Sequence, residues 1–240
     1  FNKMLARMKV LDESRSEFVS NVSHELKTPM TSMKVLADSL VGQQGVPEDL
    51  YQEFMRDITA EIDRENRIIT DLLTLVKMDK KNADLQIQHM SINQLLEDIL
   101  KRLRPIADKR NIDLILDSFR PVEADVDELK FTSAISNLVE NAIKYNVDDG
   151  WVRVSLDADH KFFYVTVADS GMGIPEDSLS RIFERFYRVD KSHSREIGGT
   201  GLGLAITRST IGMHHGVIKV FSKEGEGTTF SVRVPLSYIP

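Results

Sequence analysis

The sequence predicts an α+β chain in two parts. A hairpin of two long helices, paired with a second copy as an antiparallel four-helix bundle, is followed by an α/β sandwich. Three observations predict it. Apolar residues recur at steps of three and four through roughly the first eighty positions. The period then falls to two in several later stretches. Between these, Gly and Pro stand where helices must stop or restart.

A length of 240 residues suits two compact domains. No apolar run approaches the ~20 residues of a membrane span. Cysteine is absent, which excludes disulfides and thiolate metal sites. The net charge is −6 and no dense Lys/Arg block occurs, so nucleic acid is not an expected partner.

Taken in order, Met4, Met8, Leu11, Phe18 and Val22 form a coiled-coil seam interrupted by Arg15. The rhythm continues through Leu26, Met33, Ala37 and Leu40, and Gly42 to Pro47 breaks it. A second helix carries Tyr51, Phe54, Ile58, Ile62, Ile69, Leu72 and Val76 on its apolar stripe. Such a hairpin buries too little alone, hence the pairing of two copies. Met78 to His89 lacks strong periodicity and reads as a hinge. The second part predicts helices over 91–110, 131–145 and 202–215. Strands are expected over 112–116, 152–156 and 162–168, with two more around Gly225-Glu226-Gly227. Strict βαβ alternation is missing, so the expectation is one mixed sheet covered by helices on one side.

The sharpest local signal is Ser23-His24-Glu25-Leu26-Lys27-Thr28-Pro29. At ~100° per residue His24 lies ~200° from both Val22 and Leu26, and therefore faces solvent. Thr28 lies one turn further on the same face, and Glu25 is adjacent. Pro29 cannot donate to the carbonyl of Glu25, so a kink or loosened turn is expected there. Imidazoles in water are largely uncharged and nucleophilic at neutral pH, and a neighbouring carboxylate can take the proton that attack on phosphorus displaces. An exposed helical His beside a Glu is also ordinary surface chemistry.

Four segments of the second half carry polar chemistry. On a helix, Asn137, Asn141 and Lys144 fall within roughly 60° of one another, opposite Phe131, Ile135, Leu138 and Ala142. That stripe suits a Mg²⁺-bound polyphosphate, or simple solvation. Asp169-Ser170-Gly171-Met172-Gly173 follows an apolar strand. There a carboxylate can accept from an exocyclic amine such as adenine's, although the segment also reads as a tight turn. Gly198-Gly199-Thr200-Gly201-Leu202-Gly203 precedes a helix and offers amides to anions, or serves as a linker. Phe183-Glu184-Arg185-Phe186-Tyr187-Arg188 and the polar stretch from Asp190 to Ile197 look like a hinged lid, with Arg185 and Arg188 able to reach phosphates or pair with acids.

In this order the segments resemble the sensor histidine kinase family of bacterial two-component systems. Residues 23–30 match its phosphoacceptor box, 137–145 its N box and 169–174 its first glycine box. Residues 183–188 match the F box, 199–203 the second glycine box, and 227–230 a weaker third. The resemblance implies a dimerising helical bundle before an ATP-binding sandwich of the gyrase and heat-shock protein 90 kind. It divides the chain at 1–15, the end of an upstream HAMP-like helix, 16–82, the phosphotransfer hairpin, and 83–240, the ATP-binding domain. It implies His24 as nucleophile, Glu25 as general base, and Thr28 orienting a water for dephosphorylation of the partner. Asn141 ligates Mg²⁺ by this analogy, Asp169 binds adenine, and Gly171 and Gly173 line its pocket. Asn137, Lys144 and the segment Gly199, Thr200, Gly201, Leu202 and Gly203 handle phosphates, with Tyr145, Arg185, Arg188 and Thr228 bordering the nucleotide. ATP and Mg²⁺ are the implied cofactors, and a second copy and a response-regulator receiver domain the partners. The parent is expected at the inner face of a bacterial membrane. One departure is local: Asn146-Val147 stands where many relatives show Ser/Thr-Pro. Two other readings compete, a dimer-clamping ATPase, which has no need of His24, and a scaffold with a degenerate nucleotide site.

Overall fold

A computed structural model describes residues 2–41, 45–78, 85–189 and 199–239. The chain divides into two compact units, Phe1–Thr74 and Leu75–Pro240.

The first unit contains α1 (Asn2–Val41) and most of α2 (Glu48–Met78). Residues 42–44 of the expected turn lie outside the described residues; Gly45 has φ +76°, a left-handed conformation that glycine adopts without steric cost. Glu48 and Asp49 open α2 and Lys77 closes it, each sign complementing the helix dipole. Helix α1 continues through Pro29, which is buried, so the expected kink does not end the helix. On α2 the predicted stripe and the side chains buried within one copy differ. The buried side chains are Ile68 and Leu75, whereas Ile62, Ile69 and Val76 of the predicted stripe are exposed. Neighbouring positions on a helix differ by ~100°, so α2 carries two apolar faces, one covered within the chain and one open to solvent.

The second unit is built on a five-stranded sheet in the order β2-β4-β5-β7-β6. Its strands are β2 (Asp113–Ser118), β4 (Trp151–Ala158), β5 (Phe162–Asp169), β6 (Val217–Lys223) and β7 (Gly227–Pro235). Only β2 and β4 are parallel, as expected of a mixed sheet. Val154, Val167 and Phe230 are in register across β4, β5 and β7, as are Leu156, Val165 and Val232. All six are buried, while their neighbours along each strand are less so. This inner face shares one core with α3 (Ile92–Asp108) and α4 (Glu128–Lys144) through Leu96, Ile99, Phe131 and Ile135. Each such side chain contributes roughly 1.5–3 kcal/mol on burial. Helix α5 (Gly203–Met213) completes the layer with Ile211.

Two strands were not expected. β1 (Ile87–Ser91) pairs antiparallel with β3 (Glu123–Asp127), so the last residues of the predicted hinge are strand rather than connector. Ser91 then caps α3, its hydroxyl accepting from the Gln94 amide at 3.3 Å.

Candidate active site

Helix α4 sets the geometry of the second unit's site. Asp127 caps its start, accepting from the Lys130 amide at 3.0 Å. Phe131, Ile135, Leu138 and Ala142 anchor its inner face in the core. That fixes the rotation of the opposite face, where Asn137, Asn141 and Lys144 are half-buried. The Asn137 side-chain amide donates to Oγ1 of Thr207 on α5 at 3.0 Å. Asn141 makes no side-chain hydrogen bond to any described residue, so its amide oxygen is available to a hard cation or a donor. Among the described residues no three His, Cys, Asp or Glu side chains gather as metal ligands.

The end of α4 meets the Asp169 loop. The Tyr145 carbonyl accepts from the Met172 amide at 3.0 Å. A side chain on Gly171 would run into that same carbonyl, and one on Gly173, at φ +69°, into the carbonyl of Lys223. Glycine is what lets three backbone segments close on one another here.

Asp169 ends β5 and is 9% exposed. Its Oδ1 accepts from the amides of Gly171 at 2.8 Å and Thr228 at 3.2 Å. Burial pushes its carboxyl up to about 6, the two amide bonds only partly opposing. Both bonds fall on Oδ1, so Oδ2 is left for a donor from outside. Thr228 in turn shares a 2.9 Å hydroxyl contact with Ser222, which accepts from the Ile174 amide at 2.8 Å.

The glycine segment lies against the polar face of α4. A Cβ on Gly199 would stand 3.1 Å from Nζ of Lys144 and 3.5 Å from the Tyr145 hydroxyl, and one on Gly203 would meet the Asn137 side chain. Gly201 has φ +69° and its carbonyl accepts from the Phe186 amide at 2.8 Å. Leu202 is fully buried and Thr200 Oγ1 accepts from its amide at 3.2 Å. No side chain caps the start of α5 at Leu202.

The F-box segment is fixed beside these groups. Phe183 packs edge-on against Phe230 at 6.4 Å, and the Tyr187 hydroxyl donates to Ser178 at 3.0 Å. Burial pushes the Tyr145 phenol up, and the nearby Arg188 guanidinium opposes that. Arg185 is exposed. Gly198 and the expected lid at 190–197 lie outside the described residues.

Sequence reasoning missed the residues that fasten this site. Asn146 is buried: its Nδ2 donates to the carbonyls of Ala142 and Trp151, both at 3.0 Å, and its Oδ1 accepts from the Val147 amide and the Ser170 hydroxyl. Arg110 donates to the carbonyls of Ile143, Lys144 and Asn146, satisfying the open end of α4. An Asn just past a helix is a turn signal, and that clue was present at Asn146.

In the first unit His24 and Thr28 are exposed and Glu25 is half-buried. Thr28 Oγ1 donates to the His24 carbonyl at 3.0 Å, and Ser23 and Thr31 bond back in the same way at 2.9 and 2.8 Å.

Residues 14–81 match the His Kinase A (phospho-acceptor) domain, and 126–238 match the Histidine kinase-, DNA gyrase B-, and HSP90-like ATPase. The chain belongs to the sensor histidine kinases. It is 35% identical to Sensor histidine kinase WalK of Bacillus subtilis over 228 residues, 94% of this chain and 37% of the relative. It is 35% identical to Sensor-like histidine kinase SenX3 of Mycolicibacterium smegmatis over 225 residues, 94% of this chain and 58% of the relative. As a histidine kinase sequence it thus spans only part of these relatives' length. Histidine kinase ThkA, solved in complex with response regulator protein TrrA, shares the fold: TM-score 0.76, 24% identity, 96% of this chain and 63% of that one.

Proposed function

We propose that this chain is the catalytic portion of an ATP-dependent protein-histidine kinase that phosphorylates its own His24. Residues 16–82 serve as the phosphoacceptor hairpin and 83–240 as the ATP-binding part. The observation that carries the reading is convergence: three segments far apart in sequence meet at the outer half of α4. They are Asn137–Tyr145, the Asp169 loop and Gly199–Gly203.

Asp169 accepts the adenine amine through Oδ2, with Gly171 and Gly173 admitting the flat ring and Thr228 at its edge. Asn137, Lys144, Thr200, Arg185, Arg188 and the amides from Gly199 through Gly201 and Leu202 to Gly203 bind the phosphates, and Tyr145 borders them. The lone amide oxygen of Asn141 fits Mg²⁺, which takes few protein ligands and shares its remaining positions with phosphates and water. A bound Mg²⁺ would offset phosphate charge.

A ring nitrogen of His24 attacks the γ-phosphorus. The N–P bond forms as the bond to the β,γ-bridging oxygen breaks, ADP leaves, and Glu25 takes the ring N–H proton. Transfer of this kind is chiefly positioning, so the two units must approach for it to occur. The exposed second apolar face of α2, with Ile62 and Ile69, supports pairing with another copy. The complex of ThkA with TrrA supports onward transfer to a response-regulator aspartate, which releases His24 for another cycle. Exposed Thr28, one turn from His24, suits orientation of a water for the reverse task, dephosphorylation of that regulator. The longer relatives support a membrane-anchored parent; within this chain no described helix is long and apolar enough to cross a membrane.

Incubation with γ-labelled ATP and Mg²⁺ tests the reading. Label lost in acid, stable in alkali and absent from His24→Ala supports a phosphoimidazole. Label on a hydroxyl, or label that survives loss of His24, overturns it.

A further inference from the structure

Behind the nucleotide face, one buried hydrogen-bond network joins three parts of the second unit. Asp127 is 3% exposed and His214 is 1% exposed. The Asp127 carboxylate accepts from the Lys130 amide at 3.0 Å on Oδ1, capping α4. Its Oδ2 accepts from the Gln86 amide at 2.9 Å, just before β1, and from Nζ of Lys130 at 2.6 Å. The Asp127 amide donates to Nε2 of His214 at 3.0 Å, and Nδ1 of His214 meets the Thr210 carbonyl at 2.8 Å near the end of α5. An amide only donates and a carbonyl only accepts, so the ring is neutral with its proton on Nδ1. Phe131 packs edge-on against this ring at 5.8 Å.

These bonds sit at one end of a pair of antiparallel helices. Asp127 and His214 join the start of α4 to the end of α5, Asn137 and Thr207 join their middles, and Lys144 and Gly199 face each other at the far end. At 1.5 Å per residue, Asp127 stands roughly 15 Å from Asn137 along α4, and Lys144 roughly 10 Å beyond. If α4 tilts as a rigid rod about Asn137, a shift at the Asp127 end moves Lys144 by about two thirds as much in the opposite direction.

We propose that Asp127 and His214 are positioning residues of the nucleotide site, locking α4 to α5 and tying nucleotide affinity to the seating of β1. The proposal rests on the nucleotide reading above and adds to it the residues that set the site's spacing. Asp127 is the junction, because one carboxylate serves both the cap of α4 and the strand by which the chain joins the sheet domain. Linkage is reciprocal: if seating β1 favours nucleotide, nucleotide must favour the seated strand.

The test uses the full chain with Mg²⁺–AMPPNP as the probe, calorimetry for its Kd, and hydrogen exchange at Gln86–Ser91. In the unaltered chain, saturation slows exchange at those amides. Asp127→Asn keeps one acceptor oxygen where two amides need one each. It binds about tenfold more weakly, within the usual range of coupling between linked sites, and exchanges faster at Gln86–Ser91. His214→Phe keeps the ring against Phe131 without either nitrogen and also loses about tenfold. His214→Gln presents an acceptor to the Asp127 amide and recovers most of the affinity. A merely structural role lowers Tm in both His214 variants and leaves Kd alone. Absence of AMPPNP binding by the unaltered chain sinks the nucleotide reading, and this proposal with it. Binding that leaves exchange at Gln86–Ser91 unchanged sinks the positioning role alone, and needs no variant to fold.

Discussion

Asn137 and Gly203 interlock: the Asn137 side chain, held by its 3.0 Å bond to Thr207, occupies the space a Cβ on Gly203 would take. Gly203→Ala therefore acts on the site rather than on the fold. Alanine at a helix position is favoured over glycine by about 1 kcal/mol, which offsets part of the crowding. The variant should stay folded, displace Asn137 from Thr207, and bind Mg²⁺–AMPPNP at least tenfold more weakly. Calorimetry beside a thermal melt reads both, and an unchanged Kd would refute the interlock.

Asp169 supplies a pH signature. Its carboxyl is raised by burial from 3.8 to about 6, so between about pH 4 and 6 the folded chain holds a proton that the unfolded chain has released. The stability it contributes is present below about 4 and lost as pH rises through about 6. Asp169→Asn removes this slope, so in the absence of nucleotide its stability relative to the parent should increase from pH 4.5 to pH 7.5. The same substitution puts a donor where adenine presents a donor, so nucleotide binding should fall. Across the same window, protonation of Oδ2 should weaken nucleotide binding by the parent. Paired urea titrations at both pH values check the sign; an identical difference at each disproves it.

Arg110 is the clasp of α4's exit. Arg110→Ala leaves the carbonyls of Ile143, Lys144 and Asn146 without their guanidinium donor. The part-buried setting gives an expected loss of about 2–3 kcal/mol in urea denaturation. Arg110→Lys should recover only a fraction, since an ammonium cannot reproduce the fork that spans three carbonyls. Full recovery by lysine would mean that charge alone matters at this helix end.

Legibility in the sequence followed the range of the interactions. The outer half of α4 was readable because one helix period sorts Asn137, Asn141 and Lys144 from Phe131, Ile135 and Leu138 within a few turns. β4 and β5 were readable because Val152, Val154, Leu156 and Phe163, Val165, Val167 alternate against one buried side. β1 and β3 escaped because each is five residues long, Glu123 to Asp127 carries three acids, and the pairing closes over 32 to 40 residues. Ile68 and Leu75 escaped for a different reason: a helix with two apolar faces satisfies more than one stripe, and only packing says which is covered first. The clasp of Arg110 and Asn146 and the hydrogen bond of Asp127 to His214 join residues 36 and 87 apart. No local pattern encodes such contacts.

Pro29 offers the last test. It is buried in a continuous helix one turn beyond Glu25, whose carbonyl it cannot serve. On either side the carbonyls of His24 and Lys27 already accept hydroxyls from Thr28 and Thr31, a back-bonding that loosens and bends helices. The turn carrying His24 is therefore a place where α1 bends easily. Pro29→Ala restores the missing amide and gains up to about 3 kcal/mol of helix propensity, stiffening that turn. If bending admits the nucleotide-bearing unit to His24, this variant should raise Tm while slowing autophosphorylation and altering the phosphatase rate. Rates unchanged beside a higher Tm would leave Pro29 as a feature of helix packing alone.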